Sequence, residues 1–240
     1  MVGTWLNVAG IVVGSVCGLL LKKPISAANQ FFFKAVLGAL LVLCGLRLTW
    51  TSLNGTVFQI FKQLLIVVIA LMLGRIVGRL LRLQKTSNRL GQFARDKMLT
   101  ATPQNPNRFS DGFCVCALLF CAAPLGIVGA ISDGLAGYYF PLGIKALMDG
   151  LGAMGFIAMF GFGVMLSAVP VLVFQGTITL LCARFLLPYL DQQNLLDPVN
   201  ATSGLLIFCV ALIIFEIKKI EITDYLPALI FAPLLTFWFR

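Results

Sequence analysis

The apolar residues of this chain come in runs long enough to cross a bilayer, separated by short stretches in which the charges collect. Eight runs can be drawn, at residues 4–21, 35–50, 57–81, 112–131, 146–167, 170–187, 201–217 and 225–239. About 20 helical residues cover a hydrocarbon core of about 30 Å, and backbone polar groups in lipid must be satisfied within the segment. The pattern therefore predicts an all-α polytopic membrane protein, a single membrane domain over 1–240. The second and eighth runs are short, which makes seven spans the alternative count. Composition agrees, because 60% of the residues are hydrophobic and 11% charged. Soluble domains carry about 25% charged residues to face water.

Charge orients the spans. Lys22 and Lys23 follow the first run, Lys218 and Lys219 follow the seventh, and eight basic residues lie between Arg75 and Arg108. Excess Lys and Arg mark cytoplasmic connections, so these three share one side and both termini are expected outside the cytoplasm. Nucleic acid is not the expected partner of such a cluster; membrane lipid is. Within the basic cytoplasmic stretch 82–111, Leu83, Leu90, Ala94 and Met98 approximate one helical face and Arg82, Lys85, Arg89 and Lys97 point elsewhere. That pattern predicts an interfacial helix on anionic lipid. Residues 100–110, with Pro103 and Pro106, read as a link. The first run lacks a preceding basic region and has lysines after it, the wrong order for a signal peptide, so it reads as a span.

Helix packing is written in small residues. Gly10, Gly14 and Gly18 recur every four positions, as do Ala122, Gly126, Ala130 and Gly134, and Gly74 and Gly78 repeat the spacing. Such faces let helix backbones approach closely. A weak internal likeness joins 38–44 to 204–209, which suggests two inverted three-helix repeats around a central helix pair.

Several polar residues interrupt the apolar runs. Asp133, Lys145 and Asp149 are the leading candidates for a pathway or solute site, with Lys145 and Asp149 four apart on one helix face. Asp133 and the Lys145–Asp149 pair also fit an interfacial cap and salt bridge near the outer ends of their helices. Asn7 and Gln175 lie inside apolar runs, where an amide either binds a solute or bonds a neighbouring helix. Pro124 should kink the fourth run by removing a backbone hydrogen bond, exposing carbonyls or merely shaping the helix. Lys62, Arg184 and Glu216 read as membrane-edge anchors.

The chain has no histidine, which excludes histidine-ligated metals and histidine-dependent catalytic pairs. Its seven cysteines sit in apolar stretches, as reduced buried thiols do. Gly161-Phe-Gly163 lacks the third glycine and the βαβ setting of a nucleotide fingerprint. No enzyme, metal site or cofactor is expected.

Taken together, Met1-Val-Gly3 with Asn7, the stretch Gly126-Ile-Val-Gly129-Ala-Ile-Ser-Asp133-Gly134, Lys145, Asp149, the run 161–170 and Gln175-Gly176 resemble the YqgA-like family of bacterial inner-membrane proteins. The resemblance covers nearly the whole chain and implies a multi-pass protein of the bacterial inner membrane. It supplies neither substrate nor catalytic residues. The functional expectation is a small secondary transporter or ion-conducting protein for a cation or small polar metabolite. The alternative is a structural or regulatory membrane protein without transport. A homo-oligomer is compatible with the pattern but not derivable from it.

Overall fold

The computed structural model describes residues 1–21, 26–99 and 108–239, and every regular element among them is helical. The helices are α1 (Val2–Leu20), α2 (Ala27–Thr51), α3 (Val57–Leu80), α4 (Leu83–Leu99), α5 (Arg108–Ala122), α6 (Pro124–Ala136) and α7 (Phe140–Phe160). They continue as α8 (Gly163–Leu166), α9 (Ala168–Leu181), α10 (Leu187–Gln192), α11 (Leu196–Ile214) and α12 (Ala228–Trp238). One π-helical turn, Cys182–Leu186, joins α9 to α10 within a continuous apolar path over Gly163–Gln192.

Among the described residues, six helical segments are long and apolar enough to cross a membrane, and α5 with α6 makes a seventh if counted as one bent span. The eighth expected run is a shorter apolar helix, Ile222–Trp238, which begins with a 3₁₀ turn. The second run is not short. Its helix starts at Ala27 because the Ser26 hydroxyl accepts from the Asn29 amide and caps it. Residues 108–111, expected at the end of the basic connection, are instead the first turn of α5. The helix expected from 146 starts at Phe140, which puts Lys145 inside it.

Glycine contacts set the mutual directions of the helices. Gly3 lies against Leu142, and Gly18 against Met154 and Ile157, so α1 and α7 run parallel. Between those contacts, a side chain on Gly10 or Gly14 would collide with the carbonyls of Ala146 or Gly150. α2 and α11 run antiparallel, with Gly38 against Phe215 and Gly45 within 2.6 Å of the Gly204 carbonyl if it carried a Cβ. α3 meets the last apolar helix antiparallel, Gly74 at Ala228 and Gly78 at Asp224. Small residues here replace the hydrophobic drive that lipid removes.

These directions sort the helix ends into two sets. One end gathers Met1, Ala136, Phe140 and the exposed tryptophans Trp5, Trp50 and Trp238. The other gathers Leu20, α4, Arg108, Phe160 and Ile214. Tryptophan favours the bilayer interface and lysine-rich connections favour one side, so the two sets mark opposite membrane faces.

The α4 face identified in the sequence packs on the protein. Ala94 is fully buried in a cluster with Val115 and Cys116, and Met98 packs against it. The Gln84 amide N–H donates to Asp224, which ties the start of α4 to the turn before α12. Phe93 and Leu99 remain exposed.

Candidate functional site

Four polar side chains meet where α1, α7 and α9 pack beside the break between α5 and α6. The break has a covalent cause. Pro124 cannot donate a backbone hydrogen bond and disfavours helix at the residue before it, so Ala123 is extended and the two helices diverge by 58°. The expected kink is therefore a full interruption, and α6 starts afresh at Pro124 within the span. Beyond the other end of α6, Gly137 takes the left-handed conformation that lets the chain turn toward α7.

Lys145 and Asp149 lie one turn apart on α7 and form a direct ion pair. Lys145 is 2% exposed and Asp149 8%. Asp149 sits near the middle of α7, deeper than the interfacial position the sequence suggested. The Lys145 ammonium also lies 6.0 Å from the centre of the Phe120 ring on α5. A charge at that depth is costly in lipid, and direct pairing offsets much of the cost.

Asn7 on α1 and Gln175 on α9 are both fully buried. The Asn7 Nδ2 donates to Gln175 Oε1 at 3.2 Å, and the Asn7 amide also interacts with Asp149. Two atoms of this pair have no protein partner: the acceptor Asn7 Oδ1 and the donor Gln175 Nε2. Unpaired buried polar atoms cost about 1–3 kcal/mol each. Gly126, in the first turn of α6, makes the room. A Cβ there would stand 2.9 Å from the Lys145 Cε and 3.1 Å from Gln175 Nε2. A cation, a free donor, a free acceptor and an anion thus converge beside a helix break.

Asp133 is elsewhere. Its carboxylate accepts from the Gly3 amide at 3.1 Å and lies 3.2 Å from the amino group of Met1, at the tryptophan-bearing end. The structure therefore separates Asp133 from Lys145 and Asp149, with which the sequence had grouped it. These contacts tie the start of α1 to α6.

Three contributors escaped the sequence reading. Thr4 and Thr179 pair their hydroxyls at 3.3 Å, and Phe120 faces Lys145. A helical-spacing signal was present: Thr4 precedes Asn7 by three residues and Thr179 follows Gln175 by four, continuing each amide's face. Gly126 had been read only as a packing residue. Among the anchors, Lys62 donates to the Phe239 carbonyl and Glu216 pairs with Lys34 at 3.6 Å. No cluster of metal-ligating side chains occurs among the described residues.

The family described as "Protein of unknown function (DUF554)" matches residues 2–237. The chain belongs to the DUF554 family. It is similar to "Uncharacterized membrane protein YdfK" of Bacillus subtilis (strain 168), with 26% identity over 238 residues, 99% of this chain and 96% of the relative. It is also similar to "Uncharacterized protein YqgA" of Escherichia coli (strain K12), with 27% identity over 240 residues, 99% of this chain and 97% of the relative. No solved structure matches it significantly. The match to the DUF554 family spans every element of the buried cluster, from Asn7 to Gln175. The likeness to the YqgA-like family noted from the sequence is thereby upheld, as is a multi-pass membrane protein with bacterial relatives.

Proposed function

We propose that this protein is a small secondary transporter whose solute is polar and carries no net charge. The observation that carries this reading is the Asn7–Lys145–Asp149–Gln175 cluster: four buried polar side chains, two of their atoms unpaired, beside a broken span. Interrupted helices at membrane depth are tolerated where protein or a watery cavity satisfies the backbone, and transporters bind solutes at such breaks.

Charge narrows the earlier expectation of a cation or small polar metabolite. Lys145 and Asp149 sum to zero, and Asp133 is engaged with Met1. A bare cation entering the cluster would add an uncompensated charge in a low-dielectric setting. A zwitterion would not. Its anionic group has Lys145, Gln175 Nε2 and the positive end of the α6 dipole to face, and its cationic group has Asp149 and Asn7 Oδ1.

The helix pairs α1 with α9, α2 with α11, and α3 with α12 support an inverted-repeat reading, in which each helix of 1–3 meets its counterpart in the last three spans. Rocking of one such unit against the other is a known route to alternating access.

The test is uptake by reconstituted vesicles of labelled zwitterionic, neutral and cationic solutes at matched protein density. The expected result is saturable uptake of a zwitterionic or neutral solute that is lost in Gln175→Leu. Uptake of cations alone would refute the charge argument. Absence of uptake across the whole panel would favour the structural or regulatory alternative.

A further inference from the structure

An apolar groove lies away from the buried cluster, between α1, α2 and α7 at the basic end of the molecule. It has a volume of about 570 Å³, within the range of small-molecule sites. Its walls are apolar, among them Leu21, Phe33, Leu37, Met148, Leu151 and Phe156. Polar groups appear at one rim only, where Gln30 and Lys34 stand on the first turns of α2.

Two glycines of α7 explain why the space stays open. Unlike Gly10 or Gly14, Gly155 has nothing within 4 Å of a Cβ position, and at Gly152 a Cβ would make only ordinary 3.7 Å contacts with Phe120 and Phe156. Neither glycine serves close helix packing. Each still costs about 1 kcal/mol relative to alanine in a helix interior. What their missing side chains provide is depth, and a dry apolar recess in a membrane protein takes apolar chains in preference to water.

We propose that this groove is a binding site for one phospholipid with an anionic headgroup, its acyl chain lying along Gly152 and Gly155 and its headgroup at Lys34. Charge complementarity selects that occupant. Lys34 stands at the rim with its side chain 61% exposed, and its contact with the exposed Glu216 is long at 3.6 Å. Arg108 adds a second cation at the same end, donating to the carbonyls of Ala158 and Met159, both lining residues. A lysine near an anionic membrane surface contributes about 1 kcal/mol.

The experiment is native mass spectrometry of the detergent-purified protein titrated with dioleoyl phosphatidylglycerol or dioleoyl phosphatidylcholine, with thermal melting recorded in parallel. The first lipid bound by the wild type should be phosphatidylglycerol, by roughly fivefold, the factor one lysine supplies. Gly155→Leu should fill the groove and lose that first adduct while melting normally without lipid. Met159→Trp, at a partly exposed lining position, provides a second way to block it should Gly155→Leu fail to fold. Lys34→Gln should take both lipids alike. The proposal is overturned if a folded groove-filling variant binds phosphatidylglycerol as the wild type does, or if Lys34→Gln keeps the full preference. Loss of a dimer instead of a lipid adduct in Gly155→Leu would also overturn it, assigning the groove to a second copy.

Discussion

The seam between α2 and α11 and the junction of α1, α7 and α9 are built alike and finished differently. Both use glycine to bring backbones together, Gly45 against Gly204 in the first and Gly10 and Gly14 against α7 in the second. In the α2–α11 seam the buried polar groups are small. Thr49 donates its hydroxyl to the carbonyls of Gly45 at 3.0 Å and Ala201 at 3.3 Å, and Ser203 is buried nearby on α11. Charged side chains are not buried there among the described residues. Unpaired atoms occur on both sides of the comparison, Ser203 Oγ and Asn200 Oδ1 on α11 and Asn7 Oδ1 and Gln175 Nε2 in the α1–α7–α9 junction, but only the junction buries a full ion pair beside two amides. Close packing alone requires only the first kind of chemistry. The second is retained at a cost, which supports the solute site proposed above.

Substitutions can break this comparison. The largest effect belongs to what the two regions share. Gly14→Leu drives a side chain into the backbone of Gly150, and Gly45→Leu drives one into that of Gly204. Each should abolish the monodisperse folded peak in size-exclusion chromatography.

Next come the charges. Asp149→Asn strands a buried lysine and should destabilise by about 3–5 kcal/mol. Adding Lys145→Met removes the stranded charge and should return most of the melting temperature. Vesicle uptake should stay absent in that double variant. Recovery of both stability and uptake would make the pair purely structural.

The amides follow. Replacing Asn7 and Gln175 together by leucine removes both partners of one hydrogen bond and two unpaired atoms, but also the Asn7 contact with Asp149, so stability should fall by about 1.5–3 kcal/mol, less than in Asp149→Asn. Uptake should also be lost. The smallest effect is expected at Thr49→Val, which forfeits a hydroxyl bond worth about 1 kcal/mol in thermal melts and leaves uptake unchanged.

Much of this arrangement was legible in the residues. Long apolar runs announce spans, and Pro124 announces a bend, because each acts locally on the backbone or on its own solvation. The convergence of Asn7 with Gln175 was not legible, since 168 residues separate them and only tertiary packing unites them. Grouping Asp133 with Lys145 failed for a related reason. Their nearness in sequence spans the turn at Gly137, and Gly3 and Met1 claim the Asp133 carboxylate from the far end of the chain. The lipid-facing reading of α4 missed that α5 offers Ala94 a dry partner.

Water access to position 7 tests the central claim most directly, because it requires no knowledge of the solute. In a background lacking the seven native cysteines, Asn7→Cys would be exposed to a membrane-impermeant methanethiosulfonate reagent in sealed vesicles, with Trp5→Cys as a lipid-interface control. A transporter that opens this cluster should become labelled at position 7, with a rate that changes when the transported solute is added. A site that stays unlabelled from either side of the membrane, yet reacts after denaturation, would contradict the account and leave the cluster a sealed structural core.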